Sequence, residues 1–541
     1  MGSSNSRRRR MNRDSDRRDD GEETDEGGSD TDLATILSYL IRSGQVQILQ
    51  SDNLHDEDDD DDDDDCMMPR NTCPVPTDFP PDISGLEKSE FKQAMLVQSG
   101  QGSHAGEKRK MCIPDMLHKR ETGMVKGQTF SHSQRCRLNS PFLPNTKTTV
   151  ASYHNKAFCG IYSQDGNVFL SACQDQNIRV YDTTLGYFRQ TNLIQARDIG
   201  WSILDIAFSP DGHHLIYSSW SDNVHLCNLQ GDCETHHALN FCPNDGRFCV
   251  FSLAFSENST EILGGANDGC LYIYDTERND RILKIDAHED DVNAVAFADE
   301  SSQILFSGGD DGLCKVWDRR TLSEEQPVPV GILAGHSDGI TYIDSKGDAR
   351  YLISNSKDQC IKLWDVRAFS PSEGQEATRR AVSSQRWDYR WQRVPRRVIR
   401  QKCLKGDTSL MTYRGHCVLH TLIRCHFSPA FSTAQRYIYS GCANGTVVIY
   451  DTLTGKILSK LEGHNHCVRD VSWHPYDNTI MSTSWDGTLG KWEYKTDAAF
   501  SDSDTDSDDG TGPRTKRDRR RRHNRDNQRL CRRPKRFSLL D

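Results

Sequence analysis

The sequence of 541 residues predicts an all-β fold, a seven-bladed propeller with disordered charged tails and a short N-terminal amphipathic helix. Three observations carry that prediction. One motif recurs at near-constant spacing through the middle of the chain; composition turns globular only from about residue 147 to residue 495; and both ends are too polar to bury a core. The net charge of -12 and mean hydropathy of -0.73 are low for a chain folded throughout. No run approaches the roughly 18 apolar residues of a membrane helix, and Met1 to Arg10 is too polar for a signal-peptide core, so neither a spanning nor a secreted protein is expected. The 19 cysteines form no CxxC pair and no metal-like Cys/His spacing, which suits small buried hydrophobes in a reducing compartment. No disulfide framework, metal site or cofactor is expected.

Residues 1–146 read as mostly disordered, starting with the cluster Arg7 to Arg10 and an Asp, Glu, Gly and Ser-rich stretch. Within them Leu33, Ile36, Leu37, Leu40 and Ile41 fall at i, i+3, i+4, i+7 and i+8, one stripe of a helix near 32–43, with Asp32 as cap and Gly44 as stop. The acidic run 56–65 isolates this helix, so its apolar stripe must dock on the main domain or on another protein.

Between 147 and 495, segments end in an aromatic followed by Asp at Tyr181, Tyr274, Trp317, Trp364 and Tyr450, with degenerate ends at Cys227 and Trp492. The intervals are 46, 47, 43, 47, 86 and 42 residues. A period near 40–45 with Gly-His starts (Gly335-His336, Gly415-His416, Gly463-His464) is that of four-stranded propeller blades. His154 and His288 are starts without the Gly. The long interval holds one repeat plus an insertion near 368–406, and seven blades follow by count. Because the last repeat stops at Trp492 without an outer strand, Thr148 to Tyr153 is expected to supply it and close the ring. The insertion follows Asp365 and is therefore expected on the face where third strands end; it carries Trp387, Tyr389 and Trp391 among ten Lys/Arg from Arg379 to Lys405, as a partner-docking loop or, as a rival use, a nucleic-acid contact. Residues 496–541 read as a disordered acidic and then basic tail, with 13 Lys/Arg against 3 Asp/Glu from Thr511.

The repeat array resembles the WD-repeat propellers. The resemblance implies a buried chain of His, Ser, Asp and Trp in each blade, here His288, Ser307, Asp311 and Trp317 in the fourth repeat and His336, Ser354, Asp358 and Trp364 in the fifth. Such residues are structural: the Asp holds the imidazole, and the hydroxyl links imidazole to indole N–H. Where a member is lost, as at Cys227 and Gly264, apolar packing is expected instead.

Two blades go further. Trp317-Asp318-Arg319-Arg320 and Trp364-Asp365-Val366-Arg367 both read Trp-Asp-x-Arg, in consecutive repeats. The doubled box resembles the adaptor-binding feature of substrate receptors in cullin-4 RING ubiquitin ligases, whose final Arg contacts the damaged-DNA-binding adaptor. The resemblance is strong over Ala157 to Tyr494, returns from Leu33 to Leu49, and implies Arg320 and Arg367, with Asp318 and Asp365, as adaptor-binding residues. An Arg after a strand is usually a solvated loop residue, as Arg319 illustrates, but two at one blade spacing on one face suit bidentate pairing with a partner. Leu37 and Leu40 of the isolated helix are a second expected anchor. On the opposite face, Trp220 and Trp485 stand beside turns and are candidate substrate contacts, with packing on a neighbouring blade as the plain alternative.

The function expected is that of a non-catalytic substrate receptor that binds the adaptor, reaches cullin-4 and the RING subunit through it, and presents protein substrates for ubiquitination in nucleus and cytoplasm. Lys516-Arg517 and Arg519 to Arg522 would serve nuclear import. The alternative is a nuclear scaffold binding histones through the acidic run or RNA through the basic tail. The G-x-S-x-G at Gly335 to Gly339 opens a blade rather than a helix, and no nucleophile, base and orienting group come together, so no enzyme is expected. Gly2 with Ser6 fits an N-myristoylation start, ranked below the import reading of the adjacent arginines.

Overall fold

The computed structural model describes residues 80–101, 113–124, 130–229, 235–241, 248–400 and 403–496. The expected helix near 32–43 with Leu37 and Leu40, the acidic run 56–65 and the basic tail lie outside them.

The described residues form seven four-stranded antiparallel sheets. Six are continuous in sequence, at 157–195, 205–240, 250–286, 292–333, 340–414 and 425–462. The seventh joins 468–493 to β1 (Thr146–Ser152), which pairs with the strand Thr488–Glu493 from Thr146 opposite Glu493 to Ser152 opposite Thr488. This strand, drawn from the other end of the domain, completes the seventh blade, closes the ring and covers the edge of Thr488–Glu493. Burial follows from position in the blade. The third strand Cys360–Asp365 is buried at every residue, whereas the outer strand Ile457–Glu462 mostly alternates half-buried and exposed, the period of a strand with one face covered. Neighbouring blades approach so closely that Gly441 has no room for a Cβ against the Val468 carbonyl.

Charge as well as apolar packing holds the hub. Innermost strands of adjacent blades are pinned by carboxylates that accept backbone N–H groups: Gly160 donates to Asp470 (3.1 Å), Leu253 to Asp205 (2.8 Å) and Phe427 to Asp344 (2.7 Å). Arg424 bridges Asp205 at 2.6 Å and Asp470 at 3.3 Å, so one guanidinium ties blades 2, 6 and 7. His426 lies 3.7 Å from Asp470 and 3.9 Å from Asp344. Burial opposes its charge, but these carboxylates overcome that cost and push its pKa up to about 9.

Within 1–146 the described residues 80–101, 113–124 and 130–146 hold helices ahead of the ring that the sequence alone did not lead us to expect. Helices α1 (Ser84–Glu87), α2 (Glu90–Gln98), α3 (Ile113–Glu121) and α4 (His132–Asn139) precede the ring. Leu86, Phe91 and Met95 are fully buried in one core with Tyr351, Ile361 and Tyr413 of blade 5 and Tyr450 of blade 6. Phe91 meets Tyr351 edge-on at 4.8 Å. A few apolar residues order a polar segment when the ring supplies their other half.

The insertion emerges where its connection order implies and then travels further. It does leave the third strand of blade 5 on the Arg367 face, but α5 (Ser372–Ser383), 12 residues and so about 18 Å long, carries it along the ring to the opposite face. There Trp387 Nε1 donates to Asp338 (3.1 Å), Gln385 to the Ser337 carbonyl (3.2 Å), and the Tyr389 carbonyl accepts from His420 N–H (2.9 Å). The chain returns through α6 (Arg396–Arg400), and its two limbs touch at Gly374 and Gly406. Connection order predicts where a loop starts; a helix of this length decides where it arrives.

Candidate protein-interaction faces

The blade networks hold the two faces in place. In blade 4 the Asp311 carboxylate accepts from His288 Nδ1 (3.0 Å), the Ser307 hydroxyl meets His288 Nε2 (2.7 Å), and Trp317 Nε1 donates to Ser307 Oγ (2.9 Å). Blade 5 repeats this with Asp358 to His336 (2.9 Å), Ser354 to His336 (2.7 Å) and Trp364 to Ser354 (2.7 Å). Burial would raise the Asp358 carboxyl, yet His336 beside it holds it well below the usual range. Blade 7 has the same chain through His464, Ser482, Asp486 and Trp492.

Blades 1 to 3 and blade 6 depart from the pattern, His416 of blade 6 meeting the Tyr450 hydroxyl (3.0 Å) and Asn355 (2.9 Å). His154 is exposed; its neighbour Tyr153 takes the imidazole's place, its hydroxyl bonded to Ser171 (2.9 Å) and Tyr181 (2.7 Å). Blade 3 does replace the network with packed rings, Phe241 stacking on Tyr274 at 5.2 Å where Gly264 leaves space. Blade 2 combines both: Cys227 is fully buried in an apolar cluster with Ile203, Ile206 and Leu215, and beside it Tyr217 bonds His236 at 2.7 Å and stacks on His225 at 5.1 Å. His336, Asp358 and Cys360 gather within 4.8 Å, but the imidazole and carboxylate are engaged in the network, and burial pushes the Cys360 thiol well above its usual pKa, whereas a metal-binding Cys must be a thiolate.

Both Trp-Asp-x-Arg boxes end on the face where third strands finish. Arg320 is 67% exposed and forks onto its own Asp318, Nε at 2.9 Å and Nη2 at 2.7 Å. Arg367, 57% exposed, grips Asp365 in the same way at 3.2 and 3.1 Å. Each Asp thus orients a guanidinium outward, and the Nη1 of each has no partner among the described residues. The two boxes are not equivalent. Arg320 holds the Asp318 carboxyl down to about 2. Burial instead raises that of Asp365, against the pull of Arg350 and with Glu90 adding to the rise. Glu90, on α2, bonds Arg350 (2.7 Å) and Arg367 (3.3 Å) and so roofs the second box. Beside Arg320 a cleft of about 540 Å³ opens between the turns Ser256 to Glu261 and Glu300 to Gln303, its wall completed by Arg319, which pairs with Glu261.

On the opposite face, Trp220 is 42% exposed and meets Phe251 edge-on, while Trp485 is half-buried against Phe158 at 5.6 Å. Both rings thus meet a neighbouring blade, Trp220 through Phe251 and Trp485 through Phe158.

The family described as "WD domain, G-beta repeat" matches residues 147–182, 279–318, 327–365, 407–451 and 455–493. Blade 2, and all of blade 3 but its outer strand, fall outside those stretches. The DDB1- and CUL4-associated factor 11 homolog of Caenorhabditis elegans is 43% identical over 392 residues, covering 70% of this chain and 67% of that relative. The chain belongs to the DDB1- and CUL4-associated factor 11 family. The Caenorhabditis briggsae homolog is 41% identical over 391 residues, covering 69% of this chain and 70% of the relative. The LEC14B homolog of Prunus armeniaca is 38% identical over 441 residues, 78% of this chain and 90% of its own length. Two of the matched repeats end at Asp318 and Asp365, and Arg320 and Arg367 lie two residues beyond them.

Sequence reasoning missed Glu90, Arg350 and Tyr153. The i, i+4 pair Phe91 and Met95 behind Ser89 is a readable helix signal for α2. Nothing in the sequence announces Arg350, which reaches the second box only through folding.

Proposed function

We propose that this protein is a non-catalytic substrate receptor of a cullin-4 RING ubiquitin ligase, docking the damaged-DNA-binding adaptor through the face that carries Arg320 and Arg367. The observation that supports this reading is the doubled guanidinium: two exposed forks in adjacent blades, each aimed by its own Asp. The cleft beside Arg320 offers room for a partner loop, and the family's named association with DDB1 and CUL4 agrees with it. Leu37 and Leu40 would add a helical anchor, and cullin-4 and the RING subunit would follow through the adaptor. Ubiquitin chemistry belongs to those partners; this chain selects the client, in nucleus and cytoplasm.

The test is co-purification with the proteasome blocked. Losing a charged interface contact costs roughly 2–5 kcal/mol, more than tenfold in affinity, whereas an exposed substitution moves stability by about 0.5 kcal/mol or less. Arg320→Ala with Arg367→Ala is therefore expected to abolish recovery of the adaptor and cullin while the melting temperature stays put. Full recovery by a folded double variant would refute the assignment, and recovery of histones or RNA alone by the wild type would favour the scaffold reading.

A further inference from the structure

The face opposite the two boxes carries an arc of rings along blades 3, 2, 1 and 7. Phe251 meets Trp220, and Phe158 takes Trp201 edge-on at 5.2 Å and Trp485 at 5.6 Å. Beyond Trp485 lie His466 at 6.0 Å and His420 at 6.5 Å. The polar groups among these rings are strongly biased toward donors. Lys156 Nζ sits 4.1 Å over the Trp485 ring, with no carboxylate within ion-pair distance among the described residues. Arg469, 3% exposed, lies 5.4 Å over Phe158 and donates to the Phe158 and Leu204 carbonyls, leaving its Nε without an acceptor. The indole Nε1 groups of Trp201 and Trp485 also lack acceptors. His466 accepts from Cys467 N–H at Nδ1, so Nε2 carries its proton.

Buried donors without acceptors are uncommon, and a cluster of them beside two cations suits an anionic acceptor. The loop is also built with strain: His420 holds φ at +73°, in the left-handed region, with its N–H bonded to the Tyr389 carbonyl of the insertion. On the remainder of the face carboxylates and cations are mixed, Lys357 pairing with Asp310 at 2.7 Å. Asp291, Asp310 and Asp338 crowd blades 4 and 5, and burial together with like charges pushes the Asp291 carboxyl up to about 6. A long polyanion such as a nucleic acid would meet that repulsion; a short anionic segment confined to blades 6, 7, 1 and 2 would not.

We propose that the basin around Lys156, His466, Trp485 and Trp201 is the docking site for a short Asp/Glu-rich peptide segment of the client protein. The carboxylates pair with Lys156 and His466, and the backbone and side-chain stems lie across the indoles. This rests on the receptor reading for the client's fate, but not for the binding itself.

The test is fluorescence anisotropy on the full chain, with a labelled Glu/Asp-rich peptide, its Lys/Arg counterpart and a single-stranded oligonucleotide of equal length as probes. The acidic peptide is expected to bind, and at least tenfold more tightly than either other probe. Lys156→Glu is expected to weaken it more than tenfold, and Lys156→Gln and Trp485→Ala severalfold, with melting temperatures reporting the fold of each. Arg320→Ala with Arg367→Ala should leave peptide affinity unchanged, so loss of the adaptor and loss of the peptide fail separately. Equal binding of the acidic and basic peptides, tightest binding by the oligonucleotide, or unaltered affinity in folded Lys156 variants overturns the proposal. Binding that appears only after the acidic run 58–65 is replaced by serines would also overturn it, and would assign the basin to the chain's own acidic segment.

Discussion

The protonated His426 at the hub makes the ring's stability depend on alkaline pH in a calculable way. Folded, its pKa stands at about 9, because Asp344 and Asp470 outweigh the burial that opposes its charge. Unfolded, an imidazole returns to about 6.5. The folded state therefore holds the proton more tightly, so the stabilisation is fully present below pH 6.5 and is lost as pH rises through 9. At about 1.4 kcal/mol per pH unit the gap is worth about 3 kcal/mol. For a ring of about 350 residues, with an unfolding entropy near 2 cal/mol/K per residue, that corresponds to about 4–5 °C in melting temperature. The assay is a series of thermal melts from pH 6 to 10 on the wild type and on His426→Gln, which fits the same space without the charge. The variant should melt lower at pH 6.5, and the two curves should converge by pH 10, so that subtraction removes the slope contributed by every other group. Parallel curves across the range would refute an imidazolium held between those two carboxylates.

Ser354→Ala is expected to cost about 2–4 kcal/mol in urea unfolding, because it strips both His336 Nε2 and Trp364 Nε1 of their partner inside a fully buried site; a loss below about 0.5 kcal/mol would show that the network adds nothing to stability. Removing residues 1–145 takes away the helices that pack on blades 5 and 6 and should lower the melting temperature yet leave a closed, monomeric ring. Removing 1–156 takes β1 as well and bares the edge of Thr488–Glu493, so this shorter chain should aggregate; equal solubility of the two truncations by light scattering would argue against closure by that strand.

The sequence by itself determined the propeller, the number of blades and the strand exchange that closes them, because a repeat of about 40 residues is a local pattern that each blade must satisfy with its own residues. It also placed Arg320 and Arg367 on one face, since every third strand of an antiparallel blade ends on the same side. The four-residue chains in blades 4 and 5 were legible for the same reason, whereas the exchange of His154 for Tyr153 was not: either side chain can stand at a blade entrance, and only packing selects which turns inward. Tertiary structure alone decided everything that joins distant stretches of chain. The pairing of Glu90 with Arg367 spans 277 residues, the Arg424 bridge to Asp205 spans 219, and neither leaves a periodic trace. The insertion's arrival beside His420 depends on the length and direction of one helix. Burial, which raises the Asp365 carboxyl while the equivalent Asp318 is held low, is a property of the neighbours that the fold assembles and not of the Trp-Asp-x-Arg motif they share.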